Sequence, residues 1–310
     1  MNLILGCAML GSKPRTQQQT VLNLHRASMM NKFFSWVLML FSYLIFTNSS
    51  FAAPPTIEVF SGSGSGQGPT ASSGTHTFLL NRNNPSDNTN ETYAPITTVS
   101  YTITNSTYNT AVYSGQGSTA NKPELTFGAG GNASSVTASN ILQPLNSIGG
   151  AQDNMFAASL QNAPTGCVNG SACSSTSGGI SASNNYGVAM FIMTKALNNA
   201  NASTSNRIKM GTVQIAFNRP VTNPVLQAAG MGATVGNLGF GAEFTLTSSN
   251  VAVVMSRMAG SKELSVSGNN ITNNASTITS TSGSGGASGS VYIKGKGITT
   301  LTFDIYVRGD

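Results

Sequence analysis

"IAFNRPVTNPVLQAAGMG", residues 215–232, sets Pro220 and Pro224 four apart in a run that otherwise alternates like a strand. Proline has no N–H for a sheet ladder, and it pushes the residue before it out of the helical region. Two prolines fit here only where the ladder is already interrupted. The reading that satisfies both is a structural corner built on Pro220, Asn223 and Pro224. A strand through Val213, Ile215 and Phe217 ends near Asn218, and Val221 and Thr222 span a gap. Asn223-Pro224 then opens the next strand at Val225, in another sheet or at another edge. The glycines of "AAGMGATVGNLGFGA", 228–242, follow and allow irregular backbone.

Working outward, the same alternation recurs. In "TTVSYTITNSTYNTAVYSG", 97–115, Val99, Tyr101 and Ile103 share one face, and Thr98, Ser100, Thr102 and Thr104 share the other. "YGVAMFIMTKAL", 186–197, is almost continuously apolar and reads as a fully buried strand, with a short buried helix as the alternative. "RIKMGTVQIAF", "GAEFTLTSS", "KELSVSGNNIT", "GSVYIKGKG" and "ITTLTFDIYVRGD" follow, divided by Gly, Asn and Ser clusters. Many short strands at this spacing predict an all-β antiparallel sandwich, jelly-roll-like, with long Gly/Ser/Asn-rich loops. A 20–50 residue repeat, the mark of a solenoid, is missing. The strands also lack the consistent lipid-facing alternation of an outer-membrane barrel.

Composition narrows the function classes. Charged residues make up 8% of the 310 residues, against roughly 25% in an average soluble protein. The net charge is +6, but Lys13, Arg15, Arg26 and Lys32, four of the 15 basic residues, precede the expected mature start. What remains is close to neutral and scattered, which argues against a nucleic-acid partner.

The chain is expected to be exported. In "MNKFFSWVLMLFSYLIFTNSSFAA", Lys32 is a positive n-region and Phe33 to Phe46 an apolar segment. Ser50 and Ala52 are the small residues a signal peptidase reads, with cleavage between Ala52 and Ala53. Residues 30–52 are therefore read as a signal peptide, and residues 1–29 as an upstream extension from a start codon placed too early. Residues 53–75 are read as one short strand ("APPTIEVF") and a flexible linker ("SGSGSGQGPTASSGT"), and residues 76–310 as the sandwich domain. The expected location is secreted, periplasmic or cell-surface, with membrane contact only through the signal during export. Cys167 and Cys173 flank the turn pair Asn169-Gly170 and can close a small disulfide loop in an oxidising compartment.

"FNRPVTNPVLQAAGMGA", followed by "ASGSVYIKGKGITTLTFDIYV", resembles a jelly-roll β-sandwich module of secreted and surface adhesin-like bacterial proteins. The resemblance covers roughly residues 186–308. It implies a sandwich carried by an adhesion protein and transfers no site residue.

Candidate chemistry is sparse. No closely spaced pair of acids sits on an apolar strand, there is no Gly-x-Ser-x-Gly elbow, and His76 is the single histidine after the signal. The chain is read as non-enzymatic and without a cofactor, with one weak calcium candidate at Asp87, Asn88, Asn90 and Glu91, where hard oxygen ligands cluster. Asn and Asp also populate turns through local hydrogen bonds. Tyr93, Tyr101, Tyr108 and Tyr113 could stack sugars, although strand tyrosines are usually half-buried. Arg308-Gly309-Asp310 matches the integrin-recognition tripeptide and is read as a chance occurrence. The expected function is a secreted or cell-surface interaction protein for adhesion or matrix attachment, with an extracellular protein or glycan as partner. The alternative is a soluble carbohydrate- or calcium-binding module.

Overall fold

Period-two burial runs through Thr98–Ile103 and Lys296–Gly309 and fixes which side of each faces inward. In a computed structural model the placement of residues 1–9, 56–59, 66–81, 90–92, 94–106, 124–132, 135–158, 160, 163–164, 179–193 and 206–310 is described. These residues belong to one unit, Met1–Leu10 with Pro55–Asp310. They form two large antiparallel sheets packed face to face as a β-sandwich.

The first sheet has seven strands. Its order is β15 (Val254–Gly260), β18 (Gly289–Lys294), β12 (Pro224–Ala229), β1 (Asn2–Met9), β10 (Tyr186–Met193) and β6 (Glu124–Phe127), with β9 (Leu142–Pro144) also on β10. The second has ten. Its order is β16 (Leu264–Ser267), β17 (Asn270–Asn273), β14 (Leu238–Ser249), β19 (Lys296–Gly309), β11 (Arg207–Thr222), β5 (Thr98–Ile103), β3 (Ser72–Asn81) and β2 (Thr56–Val59). Here β13 (Ala233–Val235) pairs with β14, and β4 (Asn90–Thr92) pairs with β3. A separate hairpin joins β7 (Ala129–Asn132) to β8 (Ser135–Ala138). From β10 onward the chain changes layer at every connection except the β13–β14 and β16–β17 hairpins, which stay in the ten-stranded sheet, a jelly-roll-like wrapping.

The core lies between the layers. Val99, Tyr101 and Ile103 of β5, Val213, Ile215 and Phe217 of β11, and Leu301, Phe303, Ile305 and Val307 of β19 all point into it. Phe303 meets Phe244 edge-on, with ring centroids 6.4 Å apart. A smaller apolar cluster of Leu145, Ala151, Met155, Phe156, Ile180, Ala182 and Ala229 forms beside it.

The corner turns on one residue. Asn223 has φ 54°, the one positive value at a non-glycine among the described residues. Its N–H donates to the Gly295 carbonyl at 2.9 Å, and the Gly295 N–H donates to its Oδ1 at 3.0 Å. β11 ends in the ten-stranded sheet at Thr222, and β12 begins in the seven-stranded sheet at Pro224. Pro220 does not end β11. The strand runs on through it, across an irregularity between Ala216 and Val221 in the pairing with β19. An interrupted ladder leaves no N–H missing there.

Three other stretches sharpen the sequence reading. Residues 186–193 are strand, not helix. "MFAASL", 155–160, which the sequence leaves open between a strand and a helical turn, begins at the end of a 3-10 turn, Asp153–Met155, and bridges from Ala157 to Gly179. Part of the glycine-rich stretch read as a linker is sheet structure. Ser72–Thr75 open β3, and Gln67 and Thr70 bridge to Asn140 and Phe127. Gly68 passes so close to the Phe127 carbonyl that a Cβ there would lie 1.8 Å from the oxygen, so this glycine serves a close approach rather than freedom. Residues 1–29, read from the sequence as an upstream extension without a structural role, supply β1, a strand in the middle of the seven-stranded sheet.

Candidate interaction surface

The outward side of the ten-stranded sheet carries the polar half of the alternation. Registers place Thr102, Gln214, Thr302 and Ser248 in one row across β5, β11, β19 and β14. Ser100, Ala216 and Thr300 form the next row. Hydroxyls and amides thus tile the middle of this face with little charge.

Toward the end of β19 the rows become charged. Asp304 accepts a bond from the Thr212 hydroxyl at 2.7 Å and pairs with Lys209 at 2.8 Å. Desolvation works to raise its pKa, but the Lys209 and Thr212 bonds outweigh it and hold the carboxyl below its ordinary value. Two outward rows beyond Asp304, Arg207 and Arg308 stand directly opposite each other on β11 and β19. Like charges in register repel, and Glu243 on β14 resolves the conflict. It is buried, and its two oxygens accept from Arg207 Nε and Arg308 Nε. Arg207 also lies over the Tyr306 ring, 3.5 Å from its centroid, a cation–π contact worth about 0.5–2 kcal/mol. In this patch both acids, Glu243 and Asp304, are already occupied.

Elsewhere the acids hold backbone. Asp310 accepts from the N–H groups of Gly239 and Ile278, both at 2.9 Å, and the Ile278 bond is the main cause of its lowered pKa. Asp153 accepts from the Ala182 N–H, and Glu263 Oε1 from the Gly285 N–H. The Arg308-Gly309-Asp310 tripeptide is therefore part of a strand end with both charged side chains engaged. His76 is buried in β3, and desolvation lowers its pKa against an opposing backbone hydrogen bond with Ser73.

The remaining candidates separate. Asn90 and Glu91 are consecutive residues of β4, while Asp87 and Asn88 lie outside the described residues. Cys167, Cys173, Ala52 and Ala53 also lie outside them, as do Tyr93, Tyr108 and Tyr113. Tyr101, the described member of the tyrosine group, is 1% exposed and belongs to the core. Among the described residues no three His, Cys, Asp or Glu side chains come together as a metal site. The sequence reading missed the Glu243 pair of arginines. Its signal was Glu243 standing at a buried position in an apolar strand, with two arginines on strands of unknown neighbourhood.

No protein-family model matches the chain, and no curated protein or solved structure does so either.

Proposed function

We propose that this chain is a secreted or cell-surface interaction protein that uses its sandwich as a rigid, non-enzymatic scaffold for adhesion or matrix attachment. The observation that carries the reading is the outward face of the ten-stranded sheet. It is broad, hydroxyl- and amide-rich, nearly neutral in its centre and cross-braced by the Arg207–Glu243–Arg308 contacts. Such a surface stays in one shape and presents hydrogen-bonding groups at fixed spacing, which suits recognition of a protein or glycan surface. The engagement of Glu243, Asp304, Asp310 and Asp153 in structural bonds leaves these acids poorly suited to proton transfer. The resemblance to adhesin-like jelly-roll modules points the same way.

Fractionation of cells and medium, followed by an attachment assay on a deletion strain, tests this. The protein should be found outside the cytoplasm, and its loss should lower attachment. A protein confined to the cytoplasm would overturn the reading. Glycan-array binding that depends on calcium, with unchanged attachment on deletion, would replace it with the small-ligand module.

A further inference from the structure

The middle of the seven-stranded sheet is occupied by a segment that export would remove. β1 runs antiparallel to β10 on one side, with Leu3 opposite Met190 and Leu5 opposite Val188. It runs antiparallel to β12 on the other, from Ile4 opposite Ala229 to Met9 opposite Pro224. The two walls are therefore parallel to each other and about 10 Å apart, two strand spacings. All six residues of β12 are buried. Leu3 and Leu5 enter the main core at 0% and 2% exposure. On the opposite side a Cβ at Gly6 would meet the Tyr186 carbonyl at 3.5 Å and Leu145 Cδ2 at 3.6 Å. That space takes an alanine and nothing much larger.

Residues 2–9 precede the segment read as a signal peptide. A start at Met29 or Met30 leaves them out of the chain, and cleavage after Ala52 separates them from the sandwich if they are made, so by either route the exported chain lacks them. The exported chain then has two facing strand edges with buried, unpaired backbone and two empty leucine pockets, an arrangement that demands a strand. Its own new N-terminus is a poor substitute. Ile57 and Val59 have the spacing of Leu3 and Leu5, but Phe60 then falls at the Gly6 position, and a shift of two residues puts Glu58 there. Thr56–Val59 is also already paired with β3.

We propose that the exported chain binds, by strand addition between β10 and β12, an extended apolar segment of a different protein. That segment runs antiparallel to both walls, with branched aliphatic side chains at the Leu3 and Leu5 positions and Gly or Ala at the Gly6 position. Main-chain bonds on two sides give affinity, and the alternate pockets give selectivity. The proposal rests on the export reading of the proposed function.

The test uses the full chain with a protease site introduced at the 52–53 junction, and a fluorescein-labelled peptide of residues 2–9 as the probe. After cutting, the labelled peptide should enter at one per chain, by anisotropy and native mass spectrometry, and the uncut chain should take none. Peptides carrying Leu3→Asp or Leu5→Asp should bind roughly 100-fold more weakly, and a Gly6→Val peptide should also lose binding. A full chain carrying Leu5→Asp, left uncut, should release its own strand and accept the wild-type peptide, which guards against aggregation of the cut form. Failure of both forms to take up the peptide, or equal binding of the Asp peptides, would overturn the slot. Assembly of the cut chain into multimers that exclude the peptide would overturn the foreign partner in favour of a second copy. Sequencing the N-terminus of the protein from cells checks export separately: retained residues 1–52 would sink that reading and the proposal's physiological setting, while peptide uptake would still report the slot.

Discussion

Asn223 offers a substitution series whose order follows from its geometry. At φ 54° the residue sits where an L side chain pays for crowding its own carbonyl, about 1–2 kcal/mol for an ordinary residue and less for Asn. Its Oδ1 also accepts the Gly295 N–H at 3.0 Å, a bond worth about 1 kcal/mol net. Asn223→Gly keeps the backbone comfortable and loses the bond, so it should cost about 1 kcal/mol. Asn223→Ala loses both and should cost about 2–3 kcal/mol, by addition of the two contributions. Asn223→Asp retains an acceptor and tolerance of the left-handed region, and should stay within about 0.5 kcal/mol of the parent. Guanidinium unfolding followed by far-ultraviolet circular dichroism measures all three on one scale. An alanine variant as stable as the glycine variant would refute the corner, because it would mean that neither the positive φ nor the sheet change at this residue exists.

Phe303→Ala should cost about 3–5 kcal/mol, since the ring is fully buried on a central strand and edge-on to Phe244; the same denaturant titration reads it. Glu243→Ala should cost about 1–2 kcal/mol, well below the figure for a fully buried pair because both arginines are about one-third exposed. A double-mutant cycle with Arg308→Ala should show positive coupling, and additive losses would dissolve the network. Burial lowers the Met1 amine from 8.0 to about 5. The undocked strand therefore holds a proton that the docked strand rejects, so docking of β1 weakens as pH falls from 8 to 5, by roughly 4 kcal/mol at most. Nα-acetylation should remove that dependence, as measured by protease susceptibility of residues 1–10 across this pH range. His76, whose pKa is also lowered, destabilises in the same direction below its ordinary value, and a His76→Gln variant separates the two.

The alternating strands were legible because one side of each is buried and period two follows directly. Val213, Ile215 and Phe217 in β11, and Val99, Tyr101 and Ile103 in β5, are all in the core. The sheet change at Asn223-Pro224 was legible from two prolines and an asparagine that tolerates positive φ. Pro220 within β11 was not, because a ladder irregularity is a property of the partner strand and leaves no local mark. The glycine-rich stretch 66–75 misled for a related reason. Composition reads the same whether glycine supplies freedom or, as at Gly68, permits backbone to touch backbone. β1 was hidden by its position: "NLILGCAM" is a fair strand sequence, but nothing local says that a slot nearly two hundred residues away awaits it. The braced surface patch required knowledge of strand order, since Arg207, Glu243 and Arg308 come from three strands that meet only in the folded sheet.

Amide hydrogen exchange of the intact chain, resolved by mass spectrometry, bears most directly on a two-layer sandwich closed by its N-terminal strand. Residues 3–8 should be as protected as 188–192 and 225–229, their neighbours on either side, and all three should approach the protection of 301–307 in the opposite layer. Exchange of residues 3–8 at the rate of an unstructured peptide, with 188–192 and 225–229 still fully protected, would mean that β10 and β12 do not need a strand between them, and the account would fail.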